Sequence, residues 1–190
     1  MTAMIQDSEF YNTVSRDSMS WIDNSEKLKF SADLIQKEFQ KLIKPFLNGQ
    51  SDYTNEEEII ALWNSYFLLV GFALENLIKG LSVENHREAK DFNEIYNLYW
   101  KDYKSGHGIS RIAKDNLNNL TDKELGLLEK LEIYIVWAGR YPNPISKSEK
   151  EFIIDKCNLR YITTDYEIIN SLFLKIKDKL IEEWEKNEYK

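Results

Sequence analysis

The chain has 190 residues, 43% hydrophobic and 30% charged, a composition that fits a folded globular protein and disfavours both a disordered chain and a membrane-embedded one. Its 7 glycines and 3 prolines are too few to turn the many short strands of a β-sandwich or barrel, and its length suits one domain spanning 1–190. The net charge of −7 argues against a general polyanion binder, because phosphate contacts dominate that kind of affinity.

The first strong helix signal opens at Asn24 or Ser25. Leu28, Ile35, Phe39, Leu42, Ile43 and Phe46 recur at three- and four-residue steps, and Pro45 with Asn48-Gly49 ends the stripe. Upstream, Phe10, Val14 and Trp21 are spaced to line a shorter helix. Thr54 and Glu57 have capping-box spacing, and Glu56 to Glu58 suit the positive end of a helix dipole. From Ile59 to Leu81 this second helix is apolar almost all round, which places it at the centre of a bundle or in a membrane. Asn64, Ser65, Glu75 and Lys79 interrupt the run and favour the bundle. A third helix is predicted over 91–103, from Phe92, Ile95, Tyr96, Tyr99 and Trp100. Ser105-Gly106-His107-Gly108 then forces a break before a short helix over 110–118.

Thr121 and Glu124 form another capping box, opening a helix with Leu128, Leu131, Tyr134, Ile135 and Ala138 on its inner face and Gly139 and Pro142 at its end. The stretch 141–163 is irregular, with a helical turn starting near Ser146 and either short strands or buried loop at Phe152-Ile153-Ile154 and Tyr161-Ile162. Thr164 and Glu167 cap a terminal helix marked by Ile169, Leu172, Phe173, Ile176, Leu180 and Trp184. No internal repeat or linker is visible. The expected fold is all-α, a compact bundle of five or six helices.

Standard catalytic motifs are missing: no phosphate-cradling glycine loop, no HExxH, no GxSxG and no paired cysteines. Cys157 stands alone and reads as a small buried hydrophobe, and His86 and His107 are too few for a histidine-built metal site, so neither metal nor cofactor is expected. The N-terminus, MTAMIQDSEF, lacks the basic and apolar regions of a signal peptide, so a reducing, cytoplasmic compartment and no membrane association are expected.

Three places resist a pure packing explanation. In 101–114, Lys101, Lys104, Arg111 and Lys114 oppose only Asp102, and His107 sits between two glycines at a turn that opens a helix, where free backbone amides favour an anion. The competing explanation is a solvated loop. In Trp137-Ala138-Gly139-Arg140-Tyr141-Pro142, an arginine at a helix end can satisfy the last carbonyls, or it can hold a phosphate or a buried carboxylate. Glu75 and Lys79 form an i,i+4 pair, but Glu75 lies where the helix has no polar face, so its charge needs a cation from Arg140, Arg111 or His107. Glu75, His107, Arg111 and Arg140 are therefore expected to converge on one polar pocket of net positive charge. The alternative is that Glu75 and one arginine form a buried pair that fixes helix packing.

ALENLIKGL at 73–81, GHGIS at 106–110 and WAGRYP at 137–142, in that order, resemble the HEPN superfamily of helical-bundle proteins. The resemblance implies a compact, often dimeric α-helical domain of the kind found in toxin–antitoxin and phage-defence systems. It also implies, for active members, metal-independent RNA cleavage by an arginine and a histidine in an R-x(4–6)-H motif. None of the arginines here, Arg16, Arg87, Arg111, Arg140 and Arg160, has a histidine at that distance; Arg111 has Asn116 and Arg140 has Ile145. Asparagine hydrogen-bonds a phosphate but is a poor proton shuttle.

Two functions are expected. One is a HEPN-like protein that binds RNA, a nucleotide or a protein partner (an antitoxin, a defence-system protein or a second copy), with Glu75, Lys79, Lys104, Asn116 and Tyr141 as binding residues. The other is a metal-independent ribonuclease using His107 with Arg111 or Arg140. A plain homo-oligomeric scaffold is a third reading.

Overall fold

A computed structural model describes residues 12–49, 56–138 and 163–189. After a helical turn at 12–15, the described residues form, in chain order, α1 (Ser18–Leu47), α2 (Glu56–Asn85), α3 (Phe92–Ile95), α4 (Ile109–Asn116), α5 (Asp122–Ile133) and α6 (Thr163–Glu188), with a 3-10 turn over Lys104–Gly106. A π-helical turn extends α3 over Tyr96–Trp100 and another extends α5 over Tyr134–Ala138. The described residues contain no strand. The all-α expectation is therefore met. The suggested strands at 152–154 and 161–162, with the irregular stretch around them and the Thr54 cap, lie outside the described residues.

α1 starts earlier than the apolar stripe predicts because Asp17 caps it. Its carboxylate accepts the Met19 amide at 3.2 Å and the Ser20 hydroxyl. Trp21 thereby joins this helix, while Val14 lies on the separate helical turn at 12–15 and Phe10 lies outside the described residues. Pro45 falls inside α1, in its last turn, and the helix ends two residues later before Gly49, whose φ is +65°.

α2 is the axis of the bundle. Its residues Leu74, Leu77, Ile78 and Leu81 are fully buried, as are Ile109 of α4, Leu128 and Leu131 of α5, and Ile169, Leu172, Ile176 and Leu180 of α6. Its length and composition alone would let it cross a membrane, but 72% of its apolar window is covered by the other helices. Side-chain size is tuned at the crossings. A Cβ on Gly80 would lie 2.9 Å from both Trp21 of α1 and Leu180 of α6, so the missing side chain lets both helices approach. Polar ties fix the register. The buried Ser25 hydroxyl donates to the Ala73 carbonyl at 2.8 Å, joining α1 to α2, and Lys130 pairs with Asp165 at 2.6 Å, joining α5 to α6.

The capping box at Thr121 and Glu124 is formed in both directions, and Lys175 of α6 adds a 3.0 Å ion pair to the same glutamate. With the core centred on α2, Leu74→Ala is expected to cost about 2–5 kcal/mol, the range for emptying a close-packed site. Leu98→Ala, at a position 64% exposed, is expected to stay within about 0.5 kcal/mol of the parent. Urea unfolding followed by circular dichroism checks both.

Candidate functional site

The glycine turn between α3 and α4 is where the sequence places its histidine, and the chain folds it tightly. The Tyr103 carbonyl accepts both the Gly106 and the Gly108 amides at 2.9 Å. Lys104 and Gly106 have φ of +50° and +90°, the left-handed region in which glycine is at ease and lysine is not. A Cβ on Gly108 would meet Tyr103 Cβ at 2.8 Å and its carbonyl oxygen at 3.0 Å. The turn therefore requires glycine at 108 for space and favours it at 106 for backbone angle.

Two buried carboxylates from different helices hold this turn. Glu75 of α2, 5% exposed, accepts Lys79 Nζ at 2.5 Å and His107 Nδ1 at 3.0 Å, both on Oε1. Its Oε2 is buried and without a hydrogen-bond partner among the described residues. Lys79 also lies over the Trp100 ring, 5.4 Å from its centroid, and Trp100 donates from Nε1 to Ser82 at 3.0 Å. The second carboxylate is Glu132 of α5, 3% exposed. It accepts the Ser110 amide at 2.8 Å, the Ser110 hydroxyl at 2.5 Å and the Lys104 ammonium.

Glu132 corrects the expectation of a free anion site at the start of α4. Gly108 is the N-cap residue and has no side chain to offer, so the Ser110 amide is met by a carboxylate from another helix, while the Ile109 and Arg111 amides donate to the His107 and Gly108 carbonyls. The surplus of positive charge in 101–114 is likewise reduced in the fold, since Lys104 is paired with Glu132 and Arg111 with Asp115 at 3.6 Å.

The convergence expected of four residues holds for Glu75 and His107. Among the described residues the cation that joins them is Lys79, and Arg111 stays apart. Arg111 is exposed, with its guanidinium 5.6 Å from the Tyr103 ring centroid and its charge directed to Asp115. Arg140 and Tyr141 lie outside the described residues. Asn116 has a tying role: its Nδ2 donates to the Ile112 carbonyl at 2.8 Å, and its Oδ1 accepts from Asn85 at 2.9 Å, joining the ends of α4 and α2. It borders a polar groove of about 390 Å³ with Lys175 and Lys179, whose ammonium groups are directed to Glu124 and to Glu182 and Glu183.

Sequence reasoning missed Glu132 and Ser110, although the signal for Glu132 was of the kind that singled out Glu75. Glu132 is four residues after Leu128 and three before Ile135, so it is an acid on an otherwise apolar stripe. Among the described residues no group of three or more histidine, cysteine or acidic side chains could hold a metal ion.

Burial pushes the Glu75 carboxyl upward, but the His107 hydrogen bond and the charge and hydrogen bond of Lys79 outweigh it, so Glu75 titrates below its ordinary value of 4.5. A carboxylate held low contributes stability that is present above its unfolded value and lost as pH falls through the folded one. Glu75→Gln is therefore expected to flatten the stability profile below about pH 4.5. At pH 7 the same change is expected to cost about 1–3 kcal/mol. Urea midpoints from pH 3 to 7 measure both. At the turn, Gly108→Ala is expected to destabilise by about 1–3 kcal/mol, because Tyr103 must move. Gly126→Ala on α5, where a new Cβ meets nothing within 4 Å, is expected to stabilise by about 0.5–1 kcal/mol. Thermal melts of the two variants are expected to shift in opposite directions.

Comparison with known proteins finds no matching family model, no matching curated protein and no matching solved structure.

Proposed function

We propose that this is a HEPN-like cytoplasmic protein of a phage-defence or toxin–antitoxin context that binds a phosphate-bearing ligand, a nucleotide or an RNA end, through His107 without cleaving it. The Glu75–His107 hydrogen bond carries the reading. It commits Nδ1 of a ring whose side chain is 37% exposed, which leaves Nε2 to meet something outside the bundle. Nδ1 donates to Glu75 whether the ring is neutral or charged, so the carboxylate fixes the ring's orientation in both states.

The surrounding charge favours a small ligand over a long polyanion. Lys79, Lys104 and Arg111 are each paired with a carboxylate, which leaves few cations to release counterions along a phosphate backbone.

The second reading, a metal-independent ribonuclease, also has an observation in its favour. A carboxylate that orients a half-exposed imidazole is the arrangement a general acid or base uses. Against it, Arg111 is directed to Asp115 and not to the histidine.

One variant separates binding from packing. His107→Asn keeps an N–H donor near the Nδ1 position and removes Nε2. It is expected to leave the melting temperature within a few degrees of the parent and to weaken nucleotide binding at least about tenfold, by titration calorimetry. Binding by the parent protein is expected to depend weakly on salt, with a slope near one counterion. Failure of the parent to bind any nucleotide or short RNA at millimolar ligand would overturn the first reading. Cleavage of RNA in excess EDTA, abolished by His107→Asn, would establish the second.

A further inference from the structure

α1 is 30 residues long, about 45 Å, and its outer side is not that of an ordinary solvated helix. Phe30 is 66% exposed, Leu34 48% and Met19 44%. At about 100° per residue these three share one stripe with Asp23 and Lys41. Glu26 and Lys37 flank one side of the stripe, and Lys27 and Glu38 flank the other. Leu174 of α6, 57% exposed, lies one turn before Lys177, which pairs with Glu26. The apolar centre thus continues onto the neighbouring helix.

The charges along this stripe are self-complementary in one arrangement. If two copies of α1 run antiparallel about a two-fold axis level with Ala32, Phe30 of each lies level with Leu34 of the other. Asp23 then lies level with Lys41 of the second copy. In such a pairing, residues on one flank meet residues on the same flank of the partner helix. Glu26 therefore comes within one residue's rise of Lys37 of the second copy, and Lys27 within the same step of Glu38. Every unlike pair occurs twice by symmetry, so six complementary contacts surround an apolar centre. An unrelated partner would need a matching pattern of its own, whereas a second copy already has it.

We propose that this face of α1 is the docking surface for a second copy of the chain, antiparallel about a two-fold axis at Ala32. Glu26 is shared between Lys177 of its own chain and Lys37 of the other. The intrahelical pairs Lys27–Asp23 at 2.5 Å and Lys41–Glu38 at 2.6 Å become parts of two intermolecular networks.

The test uses the full chain and sedimentation equilibrium. The parent protein is expected to be dimeric at tens of micromolar. Phe30→Glu is expected to be monomeric with unchanged helicity, because the position is exposed and makes no demand on the core. Asp23→Lys alone and Lys41→Asp alone are each expected to weaken the dimer by about tenfold or more through like-charge contacts. The chain carrying both changes is expected to recover most of the parent affinity, because each swapped charge again faces its opposite. A parent protein that stays monomeric at 100 µM overturns the proposal, as does a dimer that survives Phe30→Glu. A dimer that is lost with Phe30→Glu, but is no tighter in the double swap than in either single change, overturns the antiparallel register. Capture of a different protein on this face by a parent that never self-associates also counts against it.

Discussion

A carboxylate on a helix with no wet face has to be met by donors the fold supplies, and the meeting of Glu75 with His107 organises much of the structure around it. Glu75 sits in the middle of α2 among residues that are wholly buried. Lys79, one turn on, supplies charge but cannot reach outward without leaving the same apolar surroundings. The second donor comes from a turn distant in sequence, and that turn can present an imidazole there only because Gly106 and Gly108 let the chain double back under Tyr103. Glu132 then secures the turn from the other side through Ser110 and Lys104. Each carboxylate alone would be an isolated buried charge, costly in a low-dielectric interior; each, once met, fixes one side of the same short segment.

The two π-helical turns belong to this arrangement. Over Tyr96–Trp100 the backbone closes at five residues, with the Lys101 amide on the Tyr96 carbonyl at 2.9 Å. The extra residue rotates the downstream chain relative to a regular helix. It carries Trp100 into the core, 1% exposed, where its ring covers Lys79 and its Nε1 reaches Ser82. The second π-turn extends α5 at Tyr134–Ala138, where Tyr134 is buried and accepts a hydrogen bond from Trp63 at 2.7 Å. Both lie within segments whose sequence reads as plain amphipathic helix, because the periodicity of apolar residues does not distinguish a ring closed at four residues from one closed at five.

The same limit governs the legibility of the molecule more generally. Elements whose burial is one-sided and whose ends are capped by local chemistry were readable: the apolar α2, the capping box before α5, the stripe of α6. The start of α1 was not, because its cap, Asp17, precedes residues with weak periodicity. The individual site residues were readable as anomalies: a histidine between glycines, an acid with no wet side. The meeting of Glu75 with His107 was readable as well, but the absence of Arg111 from it was not, since that depends on which helices touch. Charge made the largest difference. Arg111 was one of three expected partners of the buried acid, yet an exposed guanidinium with Asp115 one turn away and Tyr103 beneath it has no reason to be desolvated. Lys79, with its ammonium at the end of an apolar stem, reaches the acid that Arg111 does not.

The treatment of charge also bears on what the chain can meet. A protein of net charge −7 that leaves its cations dispersed would repel phosphate everywhere; this one gathers cations at the His107 turn and pairs Lys79, Lys104 and Arg111 each with a carboxylate. Pairing keeps the turn rigid but removes the long-range attraction that would draw in a polyanion, so recognition there has to come from contact geometry at a single histidine. On α1 the charges of the outer stripe also form pairs, Lys27 with Asp23 and Lys41 with Glu38, but these pairs lie in water and remain within reach of a surface with the reverse order. The same set of side chains thus produces a short-range site at one place and a long-range complementary stripe at another. The difference lies in burial: Glu75 and Glu132 are buried and hold their partners inside the bundle, whereas the pairs on α1 are exposed and a second charged surface can share them.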